Sequence, residues 1–289
     1  MKQIETEAEL REELLHLSRR EKSVGLVPTM GCLHEGHLSL IRRAKQQNDI
    51  AVVSIFVNPT QFGPGEDYEK YPRDIARDCA LAEGAGTDIF FHPAVSEIYA
   101  PDAATKVEVE SDITHTLCGA LRPIHFQGVT TIVSILFNIV QPDRAYFGQK
   151  DAQQAVIIKK MVQDMHIPVE IIVCPIVREA DGLALSSRNC YLSEEERRQA
   201  VSLSRGLEAA SEFFASGADS GRDAAVLTAI IFSEIGKQPL ANIEYIEIVD
   251  AETLESTRFI KHGRPTLAAV AVRFGNTRLI DNKILRDRG

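Results

Sequence analysis

The 289-residue chain has no apolar run long enough to span a membrane, and it contains few cysteines. Both features limit the cellular compartments in which we expect it to function. The cysteines are far apart and odd in number, which argues against a disulfide framework and fits a reducing compartment; they are Cys32, Cys79, Cys118, Cys174 and Cys190. The first residues are acidic and amphipathic, whereas a signal peptide needs a basic start and an apolar centre. We therefore expect a soluble, cytoplasmic protein with no membrane partner.

Basic residues are also in deficit. Lysine and arginine number 32 against 41 for aspartate and glutamate, so the formal net charge is −9. Such a chain has no overall attraction to nucleic acid, and an anionic ligand must be met by a local group of cations and donors. The first glycine-bearing turn also lacks the dinucleotide fingerprint and the Walker phosphate loop. If the chain binds a nucleotide, it uses a different phosphate-binding motif.

Helical and strand-like patterns alternate through about the first 175 residues. The periodicity predicts helices over 7–19, 38–47, 75–84, 129–140 and 152–165, and strands over 24–27, 50–57, 88–91, 144–147 and 169–173. This alternation predicts an α/β fold, a Rossmann-like doubly wound parallel sheet with helices on both faces. In such sheets ligands bind beyond the carboxyl ends of the strands.

The pattern changes after Pro175. It predicts helices over 194–215 and 223–236, strands over 243–249 and 267–274, and a surface strand or tail over 276–289. These elements suggest a smaller α+β unit. We place the domains at 1–177 and 178–289.

The segment 24–41 is the most informative in the chain. A short apolar strand over 24–27 is followed by Pro28, which we expect to stop strand pairing, and then by an amphipathic helix with His34 and His37 near its start. Unpaired N–H groups and the helix dipole favour an anion there, and histidines add donors and, when protonated, charge. Gly31 and Gly36 permit close approach of a ligand to the backbone. There are two alternatives to an anion site. The segment could be a purely structural turn. A zinc site is disfavoured, because the spacing of Cys32, His34 and His37 matches no usual zinc motif.

Three further polar clusters follow predicted strands or the domain junction. Each has an ordinary interpretation when taken alone, respectively a turn, a helix N-cap and a solvated loop. Each also offers ligand chemistry: amide groups, a lysine beside a carboxylate, and hydroxyls beside a guanidinium. The clusters are Asn58-Pro-Thr-Gln61-Phe-Gly, Gly148-Gln-Lys150-Asp151-Ala-Gln-Gln154 and Ser186-Ser187-Arg188-Asn189.

Taken together and in this order, the motifs resemble the pantothenate synthetase (pantoate–β-alanine ligase) family. The histidine pair is similar to the His-x-Gly-His signature of a larger nucleotidyl-transferase superfamily, and the Ser-Ser-Arg run is similar to its second phosphate-binding signature. The likeness is dense over 24–192 and loose beyond. It also covers Pro28-Thr-Met-Gly, Asp67-Tyr-Glu-Lys-Tyr-Pro-Arg73, Arg122-Pro-Ile-His-Phe-Gln-Gly-Val129 and Asp181-Gly-Leu-Ala-Leu-Ser-Ser-Arg-Asn189.

The resemblance implies an ATP- and Mg²⁺-dependent ligase that activates pantoate as an adenylate, releases pyrophosphate, and transfers the acyl group to β-alanine with release of AMP. It also implies a homodimer with a C-terminal lid. By position, the catalytic phosphate contacts would be His34, His37, Lys150, Ser186, Ser187 and Arg188. Further nucleotide contacts would be Met30, Gly36, Gly148, Asp151, Val177 and Leu185. The pantoate pocket would comprise Pro28, Thr29, Met30, Gln61 and Gln154, with Tyr71 and Arg122 near the site. No residue is assigned to magnesium.

Some positions depart from the family pattern without removing a polar group given a catalytic role; they are Cys32, Ile124, Gln127, Gln149, Ala152 and Leu185. Gln127 and Gln149 change the local charge, which bears on magnesium affinity and turnover. Two other interpretations stay open. Another nucleotidyltransferase of the superfamily would share the histidines but not the two-glutamine pocket, and a non-enzymatic nucleotide binder would not need the histidines, Lys150 and Arg188 together.

Overall fold

The computed structural model describes residues 1–17, 21–217 and 219–286, with the side chains of 219 and 220 left out. The end of the predicted helix 7–19 and the last residues of the predicted tail lie outside these ranges. A six-stranded sheet occupies the first part of the chain, with every recorded pairing parallel. Its strands are β1 (Lys2–Ile4), β2 (Val24–Thr29), β3 (Ile50–Ile55), β4 (Ile89–Phe91), β5 (Arg144–Gly148) and β6 (Glu170–Cys174).

Helices connect these strands, as the alternation predicts. They are α1 (Glu7–His16), α2 (Glu35–Gln47), α3 (Ile75–Gly84), α4 (Val95–Ile98), α5 (Asp112–His115), α6 (Leu117–Leu121), α7 (His125–Val140) and α8 (Ala152–Asp164). Short 3₁₀ turns cover Pro59–Gln61 and Gln149–Asp151. β3 is buried along its whole length and rich in β-branched residues, which suits the middle of a sheet covered on both faces. The doubly wound fold class is confirmed.

The strand order β1-β4-β3-β2-β5-β6 sets the position of the site. From β2 the chain winds through β3 to β4 in one direction, and β5 then returns to the other side of β2. The direction of winding therefore changes between β2 and β5, and a crevice opens at such a switch point beyond the carboxyl ends of the strands. The turns after β2, β3 and β5 meet there.

Pro28 does not end β2. It is paired in register with Ser54 of β3, and the pairing continues to Thr29. The pairing of β2 with β5 stops at Leu26, so the missing N–H of Pro28 falls where β2 has only one neighbour in register. The expected end of the strand was therefore wrong by two residues.

The second unit has a three-stranded antiparallel sheet of β7 (Ala241–Asp250), β8 (Thr266–Phe274) and β9 (Thr277–Leu285). The predicted helix 194–215 is two helices, α9 (Glu194–Ala200) and α10 (Ser202–Ala215), joined at Val201, and α11 (Ala224–Ile235) follows. Leu267 and Ala269 of β8 belong to the same buried cluster as residues of α7 and α8, so the two units share core packing. The boundary near residue 177 stays a prediction. Within the described ranges, no helix has the length and apolarity needed to cross a membrane.

Candidate active site

A cavity of about 1160 Å³ lies at the switch point, between the first sheet and β9. All the residues assigned to the site from the sequence line it. They come from the turns after β2, β3 and β5, from the start of α8, from the segment after β6 and, for Arg122, from the junction between α6 and α7. They are Pro28, Thr29, Met30, His34, Gly36, His37, Gln61, Tyr71, Arg122, Gly148, Lys150, Asp151, Gln154, Val177, Leu185, Ser186, Ser187 and Arg188. The clusters therefore converge as expected, whereas the role of each residue stays a prediction.

His34 and His37 form one side of the cavity, here called the histidine side. His34 caps α2, and its carbonyl accepts hydrogen bonds from the backbone N–H groups of His37 and Leu38 at 2.8 and 3.1 Å. The two rings lie 4.1 Å apart between centroids. The N–H of His34 donates to Nδ1 of His37 at 3.4 Å, which leaves the ring proton on Nε2 of His37. Within the part of the chain that the structure describes, Nδ1 of His34 is buried without a hydrogen-bond partner.

Both histidines are neutral at pH 7. Burial and the nearby Lys150 lower the pKa of His34 to about 4. Burial, with His34 and Lys150 close by, also lowers the pKa of His37 well below its usual value. These rings thus offer hydrogen bonds without the charge that protonation would add.

The glycine turn before α2 is held by Asp78, which sequence analysis missed. Its carboxylate accepts hydrogen bonds from the backbone N–H groups of Cys32 and Leu33, both at 2.7 Å. Gly31 has φ +83° and faces the same carboxylate, since a Cβ there would lie 2.9 Å from Oδ2 of Asp78. A Cβ on Gly36 would lie 2.9 Å from the ring of His34. No local signal links Asp78 to the turn, because the contact spans some 45 residues.

Gln61 lies at the base of the cavity, in the 3₁₀ turn after β3. Its Nε2 donates to Sδ of Met30 at 3.1 Å, and its Oε1 accepts from Nδ2 of Asn58 at 3.2 Å. The same Nδ2 donates to the carbonyl of Gly128 at 3.0 Å, and His125 Nδ1 lies 3.0 Å from the carbonyl of Gln61. Helix α7 thus positions this turn from behind. Burial and Arg122 lower the pKa of His125 to about 4.

Lys150 and the run Ser186, Ser187 and Arg188 form the opposite side, here called the cation side. Lys150 belongs to the 3₁₀ turn Gln149–Asp151, and its Nζ lies 3.9 Å from Oδ2 of Asp151. Ser186 caps a further 3₁₀ turn by accepting the N–H of Arg188 at 3.3 Å. This side supplies the positive charge that the neutral histidines do not.

Arg188 is paired with a carboxylate of the segment 66–73. Its Nε and Nη2 both donate to the carboxylate of Asp67 at 2.9 Å. Burial opposes the ionisation of Asp67, but the Arg188 guanidinium outweighs it and holds the pKa of Asp67 below its usual value. The hydroxyls of Tyr71 and Ser187 also lie 3.0 Å apart. The segment 66–73 therefore covers the cation side, an arrangement that composition and spacing alone did not show.

Arg122 is similarly paired. Its Nε donates to Glu66 at 2.7 Å, and its Nη2 donates to the other carboxylate oxygen at 2.5 Å. Both side chains are part-buried. A ligand would have to displace Glu66 before it could use this guanidinium fully.

Val177 and Leu185 face each other across a small hairpin. The N–H of Leu185 donates to the carbonyl of Val177 at 3.0 Å, and Gly182 at the tip has φ +99°. Arg197 of α9 bridges the hairpin through Glu179 at 2.7 Å and Asp181 at 2.8 Å. Any movement of this hairpin would have to break these ion pairs or carry α9 with it.

The described residues contain no group of three or more histidine, cysteine, aspartate or glutamate side chains placed to hold a metal. Magnesium commonly needs only one or two carboxylates because phosphate oxygens and water complete its octahedron. Of the carboxylates in the cavity, Asp67 is paired with Arg188, whereas Asp151 is half-exposed and is a carboxylate of this kind. The donor set of the cavity thus fits a Mg²⁺ ion that enters on a polyphosphate.

Comparisons with known proteins agree with this geometry. Residues 2–284 match the family model described as pantoate-beta-alanine ligase. The chain is 57% identical over 285 residues to a pantothenate synthetase of Moorella thermoacetica, covering 99% of each protein. A crystal structure of pantothenate synthetase from Thermus thermophilus has a TM-score of 0.93 and 48% identity, over 99% of this chain and 100% of that one. A pantoate-beta-alanine ligase from Francisella tularensis complexed with beta-gamma ATP and beta-alanine has a TM-score of 0.80 and 33% identity, over 98% and 97%.

Proposed function

The chain belongs to the pantoate-beta-alanine ligase family, and on that premise we propose that it joins pantoate to β-alanine through a pantoyl adenylate. The observation that carries the proposal is the single cavity that brings the histidine side, the cation side and Gln61 together. Phosphate-binding groups and a pocket for a small hydroxy acid are what the first step requires. In that step a pantoate carboxylate oxygen attacks the α-phosphorus of ATP, and the bond to pyrophosphate breaks.

The pantoate pocket is proposed around Gln61 and Gln154. Their amides can donate to the carboxylate and accept from the hydroxyls of the acid. Met30 lies against Gln61 and offers an apolar surface to the dimethyl carbon, while Pro28 and Thr29 form the floor. Because Asn58 and α7 fix the Gln61 turn, the acid would be held in one orientation beside the phosphates.

The triphosphate is proposed to lie between the two sides of the cavity. Lys150 and Arg188 would stabilise the charge that develops on the α-phosphate and on departing pyrophosphate, and no protein nucleophile is needed. Ser186 and Ser187 would donate their hydroxyls. The placement is supported by the position of both histidines in the wall of the same cavity as Lys150 and Arg188.

His37, the second histidine, would donate from Nε2 to the same phosphates, and Gly36 would lie under the nucleotide. The ribose is proposed to lie at Gly148 and Asp151, and the adenine against the hairpin residues Val177 and Leu185. Mg²⁺ would enter on the phosphates and neutralise part of their charge. In the second step the neutral amine of β-alanine attacks the acyl carbon and loses a proton to solvent, and AMP leaves with the oxygen that joined it to pantoate.

Three further features follow from the family and are part of this proposal: a homodimer, a cytoplasmic location, and a C-terminal lid. The lid would carry Ser186, Ser187 and Arg188 towards the phosphates. Hydrogen exchange over 180–190 should slow when ATP binds. A hydrogen-exchange rate over 180–190 that does not change at saturating ATP would contradict the lid.

The activity is tested by supplying ATP and Mg²⁺ with pantoate and β-alanine together or singly. We expect pyrophosphate to appear only with pantoate, and pantothenate and AMP only when β-alanine is added. A nucleotidyltransferase of another type would leave the nucleotide on its final product, and a nucleotide-binding protein without activity would release neither pyrophosphate nor AMP. Either result would overturn the proposal.

A further inference from the structure

The backbone around Lys150 is held by a residue of the second unit. Asn282, on β9, is 3% exposed, and its Nδ2 donates hydrogen bonds to the carbonyls of Gln149 and Lys150, both at 2.9 Å. Its Oδ1 accepts from Nε2 of Gln149 at 3.3 Å. Two carbonyl acceptors around one atom identify that atom as the amide nitrogen, so the orientation of the amide is settled by its partners.

These two carbonyls belong to the peptide groups on either side of the Lys150 Cα. Fixing both peptide planes fixes φ and ψ of Lys150, and with them the direction in which its Cα–Cβ bond leaves the backbone. The contact therefore sets where the ammonium group is delivered. A lysine side chain has four rotatable bonds, and its root must be fixed before its end can be placed.

The neighbouring residue on β9 reaches the rest of the cation side. Adjacent residues of a strand point to opposite faces, so Asp281 contacts a different partner from Asn282. It accepts hydrogen bonds from Nη1 and Nη2 of Arg178 at 2.6 and 3.0 Å. Arg178 lies at the start of the hairpin that leads to Ser186, and its Nη1 also donates to the carbonyl of Gly182 at 3.1 Å. Two consecutive residues of β9 thus connect the Lys150 turn with the segment that carries the Ser-Ser-Arg run.

We propose that Asn282 is a positioning residue that aims Lys150 at the α-phosphate, and that with Asp281 it sets the spacing between the two parts of the cation side. The proposal rests on the proposed function, since it concerns the adenylation step. It assigns the second unit a direct part in forming the site. Movement of β9 would move Lys150.

The test is a double-mutant cycle between Asn282→Ala and Lys150→Ala, read as the single-turnover rate of pantoate-dependent pyrophosphate release per folded enzyme. We expect Asn282→Ala alone to lower this rate about 10- to 100-fold, as for a catalytic group displaced by about 1 Å. In the Lys150→Ala background the same substitution should change the rate less than about twofold, because the group it positions is gone. An equal loss in both backgrounds would overturn the proposal.

Asn282→Asp provides a second variant of the same size. A carboxylate cannot donate to the two carbonyls, so we expect a loss at least as large as that of Asn282→Ala and the same dependence on Lys150. Asn242→Asp is the matched control, because it adds the same charge to the same sheet at an exposed position and should keep the wild-type rate. A wild-type rate in Asn282→Asp would refute the inference alone, whereas a wild-type protein that makes no pyrophosphate would refute the proposed function.

Discussion

Gly128→Ala is expected to weaken pantoate binding without touching the ATP site. A Cβ on Gly128 would lie 2.5 Å from the carbonyl oxygen of Thr60 and 2.6 Å from both the Cα and the N of Gln61. Ordinary contact begins near 3.4 Å, so the turn must retreat by roughly 0.8 Å. The obstacles are backbone atoms, which cannot rotate away as a side-chain end can. The amide of Gln61 moves with them.

The expected loss of pantoate affinity in Gly128→Ala lies between two limits. Forcing an extra carbon into a packed site costs about 1–3 kcal/mol. If that cost appears wholly as lost pantoate affinity, the dissociation constant rises about 5- to 150-fold. The hydrogen bonds from Asn58 to Gly128 and to Gln61 would lengthen together, so the loss should fall in the upper part of this range.

Steady-state assays with each substrate varied in turn measure the effect. We expect the KM for pantoate to rise at least tenfold, while the KM for ATP stays within about twofold. Gly84→Ala is the control, since its added Cβ meets nothing within 4 Å and it lies in helix α3. An unchanged KM for pantoate in Gly128→Ala, or an equal rise for both substrates, would refute the role given to the Gln61 turn.

Three other predictions follow from the site. Lys150→Ala should lower the single-turnover rate of adenylate formation about 10²-fold or more, the usual effect of losing one electrostatic stabiliser. Asp67→Asn should tighten ATP binding in calorimetry by about fivefold, because the triphosphate no longer displaces a carboxylate from Arg188. The free energy of unfolding, measured by urea denaturation, should fall from pH 7 to pH 5 by up to about 2 kcal/mol for each of His34 and His125. The pKa of each histidine is about 4 in the native protein and near 6.5 in the unfolded chain. Between pH 7 and pH 5 the unfolded chain therefore binds protons and the native protein does not, which stabilises the unfolded state.

Each of these predictions has a control. Lys159→Ala, at an exposed position on α8, should keep the wild-type rate, and an equal loss there would remove the special role of Lys150. Glu69→Gln removes an exposed charge from the same segment as Asp67, and equal tightening in both variants would point to general charge effects. His34→Gln should reduce the pH dependence of unfolding, and an unaltered slope would contradict the depressed pKa.

Local sequence patterns predicted the elements that carry the site. Helix α3 has the predicted bounds, and the rim residues converge because parallel strands end at one edge. The predictions were wrong where the hydrophobic pattern gave no sign of the point at which an element ends. The apolar stripe over 194–215 contains no glycine or proline near Val201 to indicate that the helix divides there. Pro28 was expected to end a strand because sequence cannot show which neighbour its missing N–H would have met.

The contacts that tune the site were beyond sequence reasoning. Asp67, Asp78 and Asn282 act across about 45 to 133 residues, and no periodicity connects such partners. Asp67 lies within a motif that supported the family resemblance, but nothing in the motif showed that it pairs with Arg188. Neutral histidines likewise depend on burial, which composition does not report.

The central claim is that pantoate is activated as an adenylate in this cavity, and oxygen transfer tests it most directly. Pantoate labelled with ¹⁸O in its carboxylate is turned over with ATP and β-alanine, and the AMP is analysed by mass spectrometry. The account predicts one ¹⁸O atom in each AMP, because the attacking oxygen stays on phosphorus when the amine displaces the nucleotide. AMP that forms with pantothenate but carries no label would contradict the claim.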